Sequence, residues 1–188
     1  MSLNITPPAP RPWQRMVQRL TVARPVSRLL ARGLRPADRW LLRLTGGRLT
    51  LTTLLTGLPV VVLTTRGARS SQPRSVPLVP LLDGEAVVLV ASAFGNKHHP
   101  AWYHNLRAHP RVTLSSDRRQ AVYLARPATS EEWNRYWSMA VATYPGYAAY
   151  RARCGERAIP ILVLTPDGPI PPPLGDPGMP ESGKPASG

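Results

Sequence analysis

The sequence predicts an α+β fold built on an antiparallel β-barrel. Three observations carry that expectation. Short apolar runs rich in β-branched residues recur between residues 59 and 165 with turn residues between them. Asp83-Gly84 stands between two such arms as a hairpin signal. Helical segments are inserted among the strands, whereas a doubly wound parallel sheet would alternate strand and helix from its start.

The elements follow in order. Residues 59–65, Pro-Val-Val-Val-Leu-Thr-Thr, form a first strand. Residues 74–82 and 85–92 flank the Asp83-Gly84 turn, and Pro77 with Pro80 marks the first arm as an edge or a bulge. A helix starts near His99, with Pro100 in its first turn, and stops at the next proline, Pro110. Strands 111–116 and 119–126 come next. Thr129-Ser-Glu-Glu132 is a capping box, and the helix after it puts Trp133, Trp137, Ala140, Val141 and Tyr144 on one buried stripe. Pro145-Gly146 breaks that helix, and a strongly apolar strand, 158–165, closes the domain.

Two flanks differ in composition from this central domain, residues 46–166. Residues 1–45 carry Arg11, Arg15, Arg19, Arg24, Arg28, Arg32, Arg35, Arg39 and Arg43, spaced mostly four apart among apolar residues at helical spacing. They read as two or three N-terminal amphipathic helices with a basic face. Attachment to an anionic membrane surface and packing against the barrel are equal readings of that arm. Residues 167–188, rich in Pro and Gly, are expected to be a disordered tail.

The 188-residue chain has 24 Lys and Arg against 10 Asp and Glu, a formal charge of +14. Such a field suits a polyanionic partner, and arginine suits bidentate capture of phosphate or carboxylate. The single cysteine, Cys154, excludes an internal disulfide and fits a reducing compartment. No signal-peptide pattern or apolar run long enough to span a bilayer is present, so a cytoplasmic protein is expected, peripheral at most to the inner face of the membrane. Nucleic acid is disfavoured as a partner, because exposed aromatics are not interleaved with the basic residues.

Familiar catalytic signatures are missing. No Gly-x-Gly-x-x-Gly follows a strand, and from residue 39 to 116 the acidic residues are Asp83 and Glu85 at one hairpin tip. The four histidines, His98, His99, His104 and His109, include no i, i+4 pair, so no metal is expected. What stands out is the stretch from Leu63 to Arg74, where a strand ends in a turn dense in guanidinium, hydroxyl and N–H groups. Arg66, Arg69 and Arg74, with Ser70 and Ser71, could converge on a phosphate. A second basic loop, residues 92–99, would lie near the first at one rim of an antiparallel meander.

Thr64-Thr65-Arg66-Gly67…Gln72-Pro73-Arg74, then Ala91-Ser92…Lys97…Pro100-Ala101-Trp102-Tyr103…Asn105-Leu106…Pro110-Arg111-Val112, resembles the deazaflavin (F-420)-dependent nitroreductase family. The run Ala140 to Tyr150, followed by Ile159-Pro160-Ile161…Leu164-Thr165-Pro166, is similar to that family's substrate-side helix and last strand. The likeness spans residues 46–166. It implies a split β-barrel of the flavin-mononucleotide-binding kind. It also implies an oxidoreductase that passes a hydride from reduced coenzyme F-420 to a small electron-poor acceptor: a quinone, nitroaromatic or conjugated enone. By the same resemblance Arg66, Arg69, Arg74 and Lys97 meet the cofactor's phosphate and oligoglutamate tail. Ser70, Ser71, Ser92, Trp102 and Asn105 line the rest. Tyr144, Tyr147 and Tyr150 meet the substrate, with Tyr147 and Ser92 as catalytic candidates. Family members commonly have glycine where Ser71 stands, so serine there is expected to strain a turn needing positive φ. A flavin mononucleotide enzyme and a basic nucleic-acid-binding module are the alternatives.

Overall fold

The computed structural model describes residues 57–116 and 119–168. The basic arm of residues 1–45 and the tail beyond residue 168 lie outside the described residues. Seven strands form one sheet: β1 (Val61–Arg66), β2 (Pro73–Leu78), β3 (Leu81–Asp83), β4 (Ala86–Val90), β5 (Arg111–Ser116), β6 (Arg119–Pro127) and β7 (Ile161–Pro166). Their order is β2-β1-β5-β6-β7-β4-β3, with every neighbouring pair antiparallel. Three helices accompany them: α1 (Ala101–Ala108), α2 (Ser130–Thr143) and α3 (Gly146–Arg153).

The order departs from a simple meander, and one segment explains it. Residues 74–82 read as a single arm in the sequence, but pairing divides them. β2 pairs with β1 as far as Leu78, and β3 pairs with β4 from Leu81. Those partners lie on opposite sides of the sheet. Laid flat, seven strands at about 4.8 Å spacing would hold the outer two roughly 29 Å apart. Three Cα steps from Leu78 to Leu81 span at most about 11 Å. The sheet must therefore curl until its edges meet. Because β1 and β4 run the same way, β2 and β3 also share a direction, and together they are one bent strand that closes a split barrel. Pro77 sits on the edge strand β2 and Pro80 in the bend, where missing N–H groups cost no ladder bond.

Closure gives the sheet an inside and an outside. Val61, Leu63, Val87, Leu89, Val112, Leu114, Tyr123 and Leu164 fill the interior, and Trp102 and Leu106 of α1 pack into the same cluster. A second core lies outside β3, β4 and β7. There Leu81, Val88, Val90, Ile161 and Val163 meet Tyr136, Ala140, Tyr147 and Tyr150 of α2 and α3. Both faces of β4 and β7 are thus buried, which is why residues 87–90 and 161–164 read as unbroken apolar runs.

Local signals set the connections. Gly84 takes φ +60 at the start of the two-residue turn between Asp83 and Ala86, a conformation glycine adopts without strain. Helix α1 begins just after Pro100 and ends two residues before Pro110. The capping box forms as expected: Thr129 Oγ1 accepts from Glu132 N, and Glu132 Oε2 accepts from Thr129 N at 2.8 Å. The α2 stripe forms as expected, with Ala140 and Tyr144 buried and Trp133, Trp137 and Val141 packed against the same core. Trp133 and Trp137 are half-buried and stack at 5.2 Å, with the Arg151 guanidinium 5.0 and 5.4 Å from their ring centroids. Tyr136, which that stripe left out, is buried as well. Its hydroxyl donates to Asp83 Oδ2 at 2.9 Å, while Arg135 pairs with Asp83 Oδ1, so α2 is fastened to the β3–β4 hairpin.

Glu132 also takes a two-pronged grip from Arg126, at 2.6 and 2.7 Å. That side-chain bond, with the Thr129 N–H next, lowers the carboxyl from 4.5 to about 2. A lowered carboxyl stabilises the fold above its unfolded pKa and loses that contribution as pH falls through its folded value. Glu132→Gln should therefore melt below wild type at pH 7, and the gap should close between about pH 4.5 and pH 2. Thermal melts of both proteins across that range check it. A gap independent of pH would contradict the charge-based account.

Candidate active site

Strand polarity decides where the functional loops lie. Stepping β1–β5–β6–β7–β4 reverses direction four times, so β1 and β4 point the same way. The loop after Arg66 and the loop after Val90 therefore leave the barrel at one rim. Arg111 at the start of β5 and the segment leading into Ile161 meet them there. The Asp83–Ala86 turn and the Ser116–Arg119 end of the β5–β6 pair occupy the opposite rim.

The first loop is tightly wound. Gly67 N donates to Gln72 O and Ser71 N donates to Gly67 O, both at 2.9 Å. A Cβ on Gly67 would come within 2.6 Å of Ser70 Oγ and 3.2 Å of Gln72 O. Ser71 adopts φ +55, so the strain expected of serine at that place is present in the backbone. Its hydroxyl accepts from Arg66 Nη2 at 3.1 Å. Arg69, Ser70 and Arg74 are exposed. An open depression of about 310 Å³ on the outer sheet face is bordered by Arg66, Ser71, Thr64, Thr113, Val122 and Arg111, the last paired with Asp167 at 2.9 Å.

Helix α1 ties this loop to the next. Asn105, 8% exposed, accepts from Ala68 N and donates to Thr65 Oγ1, each at 3.0 Å. Thr65 in turn donates to Arg74 O. Trp102 is buried in the barrel interior. Asn105 thus holds α1 against the first loop, while Trp102 anchors α1 in the barrel interior. The second loop carries Ser92, a 3-10 turn at Ala93–Gly95, and the exposed Lys97. Ala93, Phe94 and Gly95 all have positive φ, +49, +57 and +78. Ser92 is 9% exposed, and its hydroxyl has no hydrogen-bond partner among the described residues.

Behind that turn lies the tyrosine cluster. Phe94 meets Tyr150 edge-on at 5.8 Å, and Tyr150 O would lie 2.9 Å from a Cβ on Gly95, so only glycine permits this approach of α3. The rings of Tyr144, Tyr147 and Tyr150 lie 5.7 to 6.1 Å apart. The hydroxyls of Tyr144 and Tyr150 share a hydrogen bond at 3.3 Å. Tyr147, 7% exposed, has no hydrogen-bond partner for its hydroxyl among the described residues. Burial, and then the neighbouring Tyr144, push its pKa well above the ordinary tyrosine value. It is a permanent hydrogen-bond donor.

The twelve sequence candidates fall into two groups. Arg66, Arg69, Ser70, Ser71, Arg74, Trp102 and Asn105 belong to the first loop and α1. Ser92, Lys97, Tyr144, Tyr147 and Tyr150 belong to the second loop and the helices behind it. Two residues escaped sequence reasoning. Thr65 looked like an ordinary strand residue. Arg157, between Glu156 and Ala158, had nothing to distinguish it from other arginines in a basic chain; its partners lie about 60 residues away.

A split barrel with a basic rim and a sheltered tyrosine cluster defines a cofactor-dependent reductase of the flavin-binding-like class. A family model described as F-420H(2)-dependent quinone reductase matches residues 35–166, and the chain belongs to that family. It is similar to an F-420H(2)-dependent quinone reductase of Mycobacterium tuberculosis, 36% identical over 110 residues, 57% of this chain and 73% of that protein. A second, putative one from the same organism is 33% identical over 111 residues, 58% of this chain and 91% of its own. A solved F-420H(2)-dependent reductase superposes with TM-score 0.52 at 35% identity, covering 56% of this chain and 92% of its own. A chain described as a domain-swapped dimer gives 0.53 at 32% identity, covering 67% and 97%. The cofactor is therefore F-420.

Serine at φ +55 makes a direct prediction. Left-handed backbone costs a non-glycine residue about 1–2 kcal/mol, while the exposed Arg66–Ser71 bond is worth less. Ser71→Gly should raise stability by about 1 kcal/mol in urea unfolding. A loss of stability would show that the hydroxyl, not the backbone, governs this position.

Proposed function

We propose that this protein transfers a hydride from reduced F-420 to a quinone, with nitroaromatics and conjugated enones as further acceptors. The observation that carries this reading is a pair of hydroxyls without a partner among the described residues, Ser92 Oγ and Tyr147 OH, on largely buried residues near the Phe94–Tyr150 contact. Among the described residues no fully buried side-chain oxygen lacks a partner, so both hydroxyls reach the surface, where a ligand can pair with them. Charge agrees. Arg66, Arg69, Arg74 and Lys97 are exposed at the rim, and Ser70 and Ser71 add hydroxyls, which fits the phosphate and carboxylates of a long anionic tail.

Reduced F-420 supplies the hydride, so the protein has no carboxylate pair to build. The rim arginines and Lys97 bind the tail and fix the register. Ser92 and Tyr147 hydrogen-bond the reacting partners, and the Tyr147 hydroxyl meets the acceptor oxygen that gains negative charge. Its raised pKa keeps the proton in place. Tyr144 and Tyr150 wall the acceptor and keep water out. Asn105 acts by holding the first loop to α1, and Trp102 by anchoring α1 in the barrel interior.

The domain plan belongs to the same proposal: an arm at 1–45, a catalytic barrel at 46–166 and a tail at 167–188. We assign the arm to an anionic membrane surface on the cytoplasmic side, where a lipid-soluble quinone is met. Its nine arginines support that reading, each worth about 1 kcal/mol near such a surface. Among the described residues no helix is long and apolar enough to cross a membrane.

Tyr147→Phe tests the site. It keeps the ring and removes the hydroxyl, so F-420 affinity and melting temperature should stay near wild type. Steady-state quinone reduction should slow as its barrier rises by about 2.7–4 kcal/mol, as when one oxyanion donor is lost. A normal rate would make Tyr147 a core residue and leave Ser92 as the donor.

A further inference from the structure

Arg157 joins the second loop to the chain leading into β7 through an unusual set of bonds. Its Nε donates to Asn96 O at 2.9 Å, and Nη2 donates to Ser92 O at 2.7 Å. Nη1 donates to Ala91 O at 3.2 Å and meets His99 Nδ1 at 3.3 Å. Ala91 and Ser92 lie just before the left-handed run Ala93–Gly95, and Asn96 lies just after it. The guanidinium thus brackets the run from both ends. Ala93 and Phe94 are not glycine, and non-glycine residues keep positive φ only where surrounding contacts over-determine the backbone. Arg157 supplies such contacts from a segment some 60 residues away.

The partner chemistry is informative. These acceptors are carbonyl oxygens and an imidazole, none of them a carboxylate. Among the described residues Arg157 has no ion pair, so its charge stays at the rim un-neutralised. His99, its imidazole partner, has a lowered pKa, first from burial and then from Arg157 itself, which favours the neutral ring that can accept. Lysine could not replace this arrangement, because one ammonium cannot place donors in three fixed in-plane directions.

We infer that Arg157 is the positioning residue of the cofactor site: it sets the loop that presents the Ser92 hydroxyl and Lys97, and it adds an unpaired charge beside them. This rests on the reading of that loop as part of the F-420 site. The turn also carries the short-range bonds Gly95 N to Ser92 O and Asn96 N to Ala93 O and the Phe94–Tyr150 contact, and Ala91 N at its base donates to Pro160 O. None of these bonds reaches both ends of the run, as Arg157 does.

The test compares Arg157→Lys and Arg157→Ala with wild type in the full chain. It uses amide hydrogen exchange across residues 91–99, F-420 affinity by fluorescence titration, and kcat and KM for quinone reduction. Arg157→Lys should melt near wild type and keep its charge, yet exchange at 93–97 should quicken at least tenfold and F-420 affinity should fall about tenfold. Arg157→Ala should lose more on both measures. Wild-type exchange and affinity in Arg157→Lys would overturn the inference by showing that charge alone matters. Quickened exchange with unchanged F-420 affinity would overturn it too, leaving a merely structural arginine. If wild type itself fails to bind F-420, the functional reading falls, and the exchange result still decides whether Arg157 holds the loop.

Discussion

Val79 and Pro80 are all the chain that lies between β2 at one edge of the sheet and β3 at the other. No flat arrangement satisfies so short a link, so the sheet curls and the edges close. Closure separates an interior, filled by Leu63, Leu114, Tyr123 and their neighbours, from an outer face on which α2 and α3 lie. It also fixes the polarity that brings the ends of β1 and β4 to one rim. The basic loops are neighbours in function because the barrel leaves them no other place.

At that rim, charge and burial divide the work. The arginines of the first loop are exposed, where a guanidinium keeps its hydration and is still strong enough to hold a phosphate. Ser92 and Tyr147 are nine-tenths buried, where a single hydrogen bond is worth more than in water and orientation is set in advance. Backbone strain appears at both loops, at Ser71 and at Ala93 and Phe94, and nowhere else among non-glycine residues described. Strain of that kind survives where several bonds compel it. Asn105 secures the first loop and Arg157 the second.

Most of the architecture was legible wherever a local pattern fixed it. The β-branched run of β1, the Gly84 turn, the Thr129–Glu132 capping box and the helix stops at proline all depend on residues close in sequence. The two-loop rim could also be anticipated, since strand direction follows from the number of hairpin reversals. What failed was long-range. Pro77 and Pro80 announced an edge, but not that one arm would serve two edges. On α2 the predicted face packs on the core but Tyr136 was missed, because its hydroxyl finds its partner in Asp83 on the distant hairpin. Arg157 was invisible because its partners are carbonyl oxygens, which every residue possesses.

The central claim is that the first loop binds the anionic tail of F-420 as a site and not merely as part of a basic surface. Titrating F-420 into wild type, Arg69→Ala, Arg74→Ala and Arg119→Ala, at low and high salt, tests it most directly. Arg119 is exposed at the opposite rim and supplies the charge control. Losing one charge-assisted bond should weaken binding by about 1.5–3 kcal/mol, roughly ten- to hundredfold, in the Arg69 and Arg74 variants. Arg119→Ala should stay near wild type, and the long-range part of every difference should shrink as salt rises. Equal weakening in all three variants would contradict the account, because net charge would then explain binding without a site.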